Sequence, residues 1–190
     1  MDVVLLHSAL GLRPAVHAHA DRLRAAGHAV HTPDLFDGRT FTDADEGVAH
    51  ADSIGWRALQ AEADAAVPAG GPVAVAGLSM GAVFATKIAA RRPDVLGALL
   101  LHAGSAYRGD WPGVPVEVHH CVDDRWVDAG QPAALVEQVA RSGARASLHV
   151  YPGAQHLFTD VDLAEEHLPE QAELLWTRAL AFLASLQRPG

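Results

Sequence analysis

Residues 73–86 read VAVAGLSMGAVFAT and are the most informative part of the chain about its fold. Its first part has the apolar composition of a buried strand, and the run after Ser79 has the composition of a helix. Between them lies Gly77-Leu78-Ser79-Met80-Gly81, which matches the G-x-S-x-G pattern of a serine held on a sharp turn from strand to helix. A glycine-bounded turn of a nucleotide-binding fold is the other interpretation, but phosphate-binding loops usually carry further glycines or a lysine.

The rest of the chain alternates between strand-like and helix-like segments. Short apolar or β-branched runs predict strands, and apolar residues at helical spacing between them predict helices. The predicted strands are residues 3–6, 29–32, 73–76, 96–101, 116–120 and 146–151, and the predicted helices are residues 14–26, 56–67, 80–91, 131–141 and 169–186. Most of these strands are nearly continuous in apolar residues, which is typical of strands buried on both faces. The alternation predicts one α/β domain over residues 1–190, with a parallel sheet, helices on both faces and binding sites beyond the carboxyl ends of the strands.

The glycines around Ser79 suit the chemistry that such a turn allows. Side chains at those positions would collide with the strand or the helix, so glycines leave the Ser79 hydroxyl held out toward a substrate. The helix N-terminus and the Met80 N–H can then stabilise a negative charge that develops on a carbonyl oxygen. A second donor is expected in the loop after the first strand, residues 7–12, where we favour the Ala9 N–H. An ordinary turn with backbone freedom at Gly11 explains that loop equally well.

A serine hydroxyl needs a base, and the base needs a group that orients it. In folds with the G-x-S-x-G turn these groups follow in the order serine, acid, histidine. The chain has Asp124 after the fifth predicted strand and His156 after the sixth. Both lie in loops where parallel strands end, so they can converge on Ser79. Asp123 and Asp128 compete with Asp124 for the role of the acid, and a surface position is the alternative for His156.

Together these residues resemble the dienelactone hydrolase family of α/β-hydrolases. The resemblance covers nearly the whole chain and rests on residues 7–12, 33–36, 77–81, 123–124 and 151–153 together with His156. It implies a trimmed α/β-hydrolase fold with about six mostly parallel strands in the order 2-1-3-4-5-6 and helices on both faces. It also implies Ser79 as the nucleophile, His156 as the base and Asp124, rather than Asp123, as the acid.

Three departures from that family bear on the substrate. The name-giving enzymes use a cysteine nucleophile, whereas this chain has Ser79, which is similar to family members that act as general esterases. Those enzymes carry a glutamate where Ser8 stands and an arginine shortly after the histidine, where this chain has Leu157-Phe158-Thr159-Asp160. The resemblance therefore implies hydrolysis of a small uncharged carboxylic ester or lactone through an acyl-enzyme on Ser79, with no cofactor and no metal. The predicted substrate-binding residues are the apolar neighbours Leu10, Trp126 and Phe158.

The composition excludes several other classes of protein. The chain has a formal net charge of -9, and its Lys and Arg residues are scattered, so nucleic acid and anionic membranes are not expected partners. No apolar stretch is long enough to span a bilayer. The single cysteine, Cys121, is expected to be a small buried residue and agrees with a reducing compartment, which predicts a cytoplasmic protein. The expected partner is the small-molecule substrate, and a homodimer is left open.

Twelve histidines are the unusual feature of the composition. Several stand in or after predicted strands and could meet at the edge of the sheet to bind zinc: His7, His102, His119, His120 and His149. No H-x-x-x-H or H-E-x-x-H pair accompanies them, and His119 and His120 point to opposite faces of one strand. Two further hypotheses stay open, namely a metal-dependent hydrolase built on these histidines and a non-catalytic scaffold that binds a ligand or partner.

Overall fold

The computed structural model describes residues 1–128 and 130–187 and shows one six-stranded sheet in them. The strands are β1 (Asp2–Leu6), β2 (Ala29–His31), β3 (Val73–Leu78), β4 (Val95–Leu101), β5 (Val116–Cys121) and β6 (Ala146–Tyr151). Their spatial order is β2-β1-β3-β4-β5-β6, and every neighbouring pair is parallel. The predicted fold class and strand order are therefore confirmed.

The strands differ from the predicted ones in their ends, and the two edge strands differ from the central ones in burial. β3 continues through Gly77 and Leu78, because both residues pair in register with β4. The four central strands are almost wholly buried, as predicted. The two edge strands, β2 and much of β6, are only partly buried because each has a neighbouring strand on one side only.

Within the described ranges, six helices connect and cover these strands: α1 (Pro14–Ala25), α2 (Ala44–Ile54), α3 (Trp56–Ala65), α4 (Met80–Ala89), α5 (Gly130–Arg141) and α6 (Pro169–Leu186). The sequence did not predict α2. Its start has a local cause, since the Asp43 side chain accepts a hydrogen bond of 3.0 Å from the Glu46 N–H. Gly47 weakens the helical pattern of α2 but lets the helix pass close to the loop after β1, where a Cβ would lie 2.1 Å from the Ala9 carbonyl oxygen.

Two apolar clusters hold the helices against the two faces of the sheet. On one face α3 and α5 contribute Leu59 and Leu135, both fully buried. On the other face α1 and α6 contribute Leu23 and Leu175, also fully buried. The C-terminal helix packs back against the sheet, as predicted, and passes so close to Gly97 of β4 that a Cβ there would lie 2.6 Å from the Leu186 side chain. In residues 1–128 and 130–187, no helix combines the length and the apolar character needed to cross a bilayer.

Candidate active site

Ser79 lies on the sharp turn between β3 and α4. Its backbone φ is 51°, in the left-handed region. An L-residue occupies such conformations at a cost on the order of 1–3 kcal/mol. A hydrogen bond of 2.8 Å from the Ser79 N–H to the Leu101 carbonyl ties this strained residue to the end of β4. Strain that the surrounding fold maintains in this way is typical of a residue positioned for function.

The two glycines of the turn are required by close contacts between backbone segments. A Cβ on Gly77 would lie 2.2 Å from the Gly81 carbonyl carbon, and one on Gly81 would lie 2.3 Å from the Leu6 carbonyl oxygen. Side-chain rotation cannot relieve either contact, because both involve backbone atoms. The glycines of the G-x-S-x-G pattern therefore allow the start of α4 to pack directly on β3 and β1.

A continuous hydrogen-bonded chain joins Ser79, His156 and Asp124. The Ser79 Oγ and His156 Nε2 are 2.7 Å apart, and His156 Nδ1 and Asp124 Oδ2 are also 2.7 Å apart. The second oxygen of the carboxylate, Oδ1, accepts a bond of 2.9 Å from the Trp126 N–H. When Nδ1–H donates to Asp124, Nε2 is left as the acceptor for the hydroxyl proton. This is the geometry in which a histidine can act as a base toward a serine.

The two other candidates for the acid have different surroundings. Asp123 is exposed, and its N–H donates to the Gly153 carbonyl oxygen at 3.1 Å. Asp128 lies at the start of α5, where its Oδ1 accepts a bond of 3.1 Å from the Gly130 N–H. Of the three aspartates, the structure brings Asp124 to His156.

The two predicted oxyanion donors lie on either side of Ser79. Met80 is the first residue of α4, and Ala9, in the loop after β1, lines the same cavity as Ser79. Among the residues that the structure describes, neither the Met80 N–H nor the Ala9 N–H donates to a backbone acceptor outside regular helix or strand pairing. Both N–H groups therefore remain candidates for binding an oxyanion.

His7 and Ser8 set the shape of the loop that carries Ala9. His7 Nδ1–H donates to the Ser8 carbonyl oxygen at 2.6 Å, and its Nε2 accepts a bond of 3.0 Å from the Leu35 N–H. Burial lowers the pKa of His7, which agrees with this neutral ring. The Ser8 hydroxyl accepts a hydrogen bond of 3.1 Å from the Leu10 N–H, two residues further along the chain. Ser8 is therefore engaged within its own loop.

A cavity of about 360 Å³ lies beside Ser79. Its apolar lining comes from loops and helices on both sides of the turn: Ala9, Val48, Trp56, Met80, Val83, Ala103 and Val127. His156 and Asp128 also line it, whereas no lysine or arginine of the described residues does. The cavity has the size and character of a small-molecule site with a few polar groups.

The structure separates the three predicted substrate-binding residues. Trp126 lines the cavity, and its ring centroid is 6.0 Å from that of His156. Leu10 lines a neighbouring cavity of about 410 Å³ that also borders His156. Phe158 lines neither cavity. Its ring is fully buried and packs edge-on against His102, with centroids 4.7 Å apart. The turn after His156 directs Phe158 into the core shared with α6, so closeness in sequence was a poor guide to its position.

His102 was considered above only as a possible metal ligand, and the structure places it behind His156. The two ring centroids are 6.4 Å apart, and His102 Nε2 is 2.8 Å from the Thr159 hydroxyl. Full burial, together with the positive charge that His156 carries when protonated, lowers the pKa of His102 well below its ordinary value. His102 therefore stays neutral and adds no second positive charge beside His156. Its position directly after β4, at the edge where the other site loops begin, was the available sequence signal.

Cys121 is poorly suited to replace Ser79 as a nucleophile. It is fully buried at the end of β5. Burial, with the negative charge of Asp124 adding to it, raises the pKa of the thiol to about 11. The reactive thiolate is therefore scarce at neutral pH, and Cys121 acts as a small buried residue.

Comparison with known proteins gives one family and many related folds. A model of the dienelactone hydrolase family matches residues 1–187. A dienelactone hydrolase-like promiscuous phosphotriesterase from metagenomic libraries superposes with a TM-score of 0.81 at 21% identity, covering 97% of this chain and 86% of that chain. A protein named m3DLH superposes with a TM-score of 0.81 at 23% identity and the same coverage of 97% and 86%. MGS-M1, an α/β-hydrolase from a Medee basin deep-sea metagenome library, superposes with a TM-score of 0.64 at 14% identity, covering 97% of this chain and 84% of that chain. No curated protein matches the chain.

Proposed function

Since this chain belongs to the dienelactone hydrolase family, we propose that it is a serine hydrolase that cleaves a carboxylic ester or lactone of a small uncharged substrate. The observation that carries the proposal is the hydrogen-bonded chain from Ser79 through His156 to Asp124 at the wall of a mostly apolar cavity. A serine on a strained turn, a base whose acceptor nitrogen faces the serine hydroxyl and an acid that orients the base are the parts needed for acyl transfer.

In the acylation step, Ser79 Oγ forms a bond to the substrate carbonyl carbon while His156 Nε2 takes up the hydroxyl proton. The carbonyl π electrons move onto its oxygen, and the N–H groups of Met80 and Ala9 stabilise the resulting oxyanion. Asp124 keeps Nδ1 protonated and stabilises the imidazolium. When the intermediate collapses, the bond to the leaving alkoxide breaks, His156 returns the proton to it, and the acyl group stays on Ser79.

Deacylation repeats these steps with water as the nucleophile. His156 Nε2 takes a proton from water as its oxygen bonds to the acyl carbon, and the same backbone donors stabilise the second oxyanion. Collapse of this intermediate breaks the bond to Ser79 Oγ, which regains its proton from His156. The products are a carboxylic acid and an alcohol, which are one molecule when the substrate is a lactone.

The lining of the cavity beside Ser79 favours an uncharged acyl group. The lining is mostly apolar, and the Asp128 carboxylate in it would repel an anionic substrate. Three loop arginines were candidates for binding a substrate carboxylate, and none of them lines this cavity: Arg39, Arg108 and Arg125. Arg125 lies over the Trp126 ring, 5.2 Å from its centroid, and lines the neighbouring cavity of about 410 Å³ together with several carboxylates: Asp43, Asp162, Glu165 and Glu166. A carboxylate in the cavity beside Ser79 would therefore lack a cationic partner.

A fluorophosphonate probe tests this proposal against the two other hypotheses. The probe phosphonylates an activated serine hydroxyl, so we expect one equivalent on the peptide that contains Ser79 and a parallel loss of ester hydrolysis. Heat-denatured protein is the control and should remain unlabelled. Hydrolysis that survives the probe but is lost with a chelator would instead identify a metal-dependent hydrolase. Neither labelling nor hydrolysis across a screen of esters, lactones and thioesters would identify a non-catalytic scaffold.

We expect kcat/KM for a neutral aryl ester to exceed that for a carboxylate-bearing dienelactone by at least about tenfold, equivalent to about 1.4 kcal/mol. A carboxylate buried without a cation costs several kcal/mol, whereas each buried acyl methylene gains about 0.8 kcal/mol. The matched comparison uses two aryl esters with one leaving group, whose acyl chains end in a methyl group or in a carboxylate. Faster hydrolysis of the carboxylate ester would contradict the prediction and would make the three loop arginines the first targets for mutation.

A further inference from the structure

Three potential metal ligands meet beneath α6, on a part of the sheet that the proposed hydrolysis does not use. Glu117 and His119 lie two residues apart on β5, and His149 lies on the neighbouring strand β6, directly opposite His119. The three side chains therefore share one face of the sheet. One ligand atom from each residue lies within 4.8 Å of the other two. Glu117 and His119 are buried, and the His149 side chain on the edge strand is 25% exposed, which gives a cation a route from solvent.

The two imidazole rings converge on the single carboxylate. His119 Nε2 is 3.0 Å from Glu117 Oε1, and His149 Nε2 is 3.4 Å from Glu117 Oε2. The second ring nitrogen of His119, Nδ1, is 2.8 Å from the Tyr151 hydroxyl. Histidines that bind metals commonly make such a hydrogen bond through the nitrogen that faces away from the metal, because it holds the ring in the required orientation.

We propose that Glu117, His119 and His149 form a binding site for a divalent cation that accepts mixed nitrogen and oxygen ligands, with Zn²⁺ as the best match. Zinc bonds of roughly 2.0–2.2 Å in a tetrahedron place neighbouring ligand atoms roughly 3.2–3.6 Å apart. The contacts from Glu117 to the two histidines, 3.0 Å from Oε1 and 3.4 Å from Oε2, lie near this spacing, each through a different carboxylate oxygen. Binding of one cation would draw the three ligand atoms, now within 4.8 Å of one another, closer together, and water would supply the fourth ligand.

Cation binding changes where the imidazole protons sit. Without metal, each Nε2–H can donate to Glu117. With metal, each Nε2 lone pair points at the cation, and the neutral rings carry their proton on Nδ1. His119 Nδ1–H then donates to the Tyr151 hydroxyl, so no proton has to leave this ring. The Arg178 guanidinium, 5.4 Å from the centroid of the Tyr151 ring, opposes the cation, and the Glu117 carboxylate offsets that charge.

The site would join the edge strand β6 to β5. His119 lies before the end of β5, whereas Asp124 follows that end, so the cation would bind at a different level of the sheet from the triad. β6 is partly exposed and pairs with a strand on one side only. A cation bound by His149 of β6 and by two residues of β5 would add a link between these two strands. We therefore expect the cation to stabilise the fold and chelation to leave ester hydrolysis unchanged.

The test is titration of the purified full chain with Zn²⁺ by calorimetry and with Co²⁺ by visible absorption. We expect one equivalent per chain, the strong visible bands of tetrahedral Co²⁺, and a rise in Tm with Zn²⁺. His149→Gln removes a ligand at a partly exposed position and should weaken Zn²⁺ binding by at least about 100-fold. Tyr151→Phe should keep the stoichiometry while weakening binding by about tenfold.

His31→Gln is the matched control, because it removes another strand histidine that contacts a carboxylate, here Asp2 at 2.8 Å. It should bind Zn²⁺ as the unmodified chain does. Absence of saturable binding, unchanged binding in His149→Gln, or equal weakening in His31→Gln would each overturn the inference. Ester hydrolysis measured on the same samples keeps the two proposals separate, since a missing metal site with intact hydrolysis refutes the metal site alone.

Discussion

Replacing Ser79 by alanine is expected to lower kcat for a neutral aryl ester by about 10⁴- to 10⁶-fold. The substitution removes the one atom that would form the acyl bond, and the remaining rate would come from substrate binding and the oxyanion donors. The fold should persist. The substitution removes the hydrogen bond between the Ser79 hydroxyl and His156 but keeps the backbone hydrogen bond from residue 79 to Leu101. Steady-state rates, fluorophosphonate labelling and Tm measured together separate loss of chemistry from loss of structure.

Ser53→Ala is the control for that experiment. Ser53 is exposed on α2, and its hydroxyl donates to the His50 carbonyl oxygen at 2.7 Å. This variant should keep full activity and full labelling of Ser79. A Ser79→Ala protein that remains folded and retains most of its activity would refute an acyl-enzyme on Ser79 and would return the metal-dependent hypothesis to first place.

Replacing Asp124 by asparagine is expected to lower kcat by about 10⁴-fold. The Asn oxygen can still accept the bond from the Trp126 N–H, but the amide –NH₂ would then face His156 Nδ1 and donate to it. The imidazole proton would move to Nε2, which could no longer accept the Ser79 hydroxyl proton. The negative charge that stabilises the imidazolium would be lost as well. The measurement is kcat at neutral pH, with Tm as the check on folding.

Asp123→Asn is the matched control, because it makes the same chemical change at the neighbouring, exposed position. It should leave kcat within about twofold, as is usual for a surface substitution away from the chemistry. If Asp123→Asn lost activity while Asp124→Asn kept it, the assignment of the acid would be wrong. Equal losses in both variants would point to loop structure in place of a specific role for Asp124.

Most of the sheet could be predicted because its signals are local. A run of apolar residues is enough to indicate a buried strand, and the G-x-S-x-G pattern indicates the turn that follows β3. The order of the strands came from the family resemblance. The burial of the two edge strands is less clear from the sequence, because β2 and β6 mix apolar residues with polar ones such as His31 and His149, and neighbours in space decide how much of a strand is covered. Helix α2 was missed because Gly47 interrupts its pattern of helix-forming residues. Only the close approach of this helix to Ala9 explains why a glycine stands at that position.

Some residues of the candidate site could be predicted from the sequence and others could not. Ser79 and His156 followed from a motif and from the position of a loop histidine after a strand. Phe158 was placed wrongly, because the direction of a turn decides whether a side chain faces a cavity or the core. The cluster of Glu117, His119 and His149 was not predicted as a set, since its members lie on two strands and meet only through the register of their pairing.

The α/β class, the sharp turn at Ser79 and the order of serine, acid and histidine follow from the sequence alone, because local residue patterns and their order along the chain carry this information. That Asp124 contacts His156, as the family resemblance implied, and that His102 packs behind His156 both depend on contacts between distant segments, which residue patterns alone do not fix. The bonds that select these residues join His156 to Asp124 across 32 positions and to Ser79 across 77 positions. Adjacent aspartates look alike in sequence, but their side chains leave the backbone in different directions, and the packing of distant segments chooses between them.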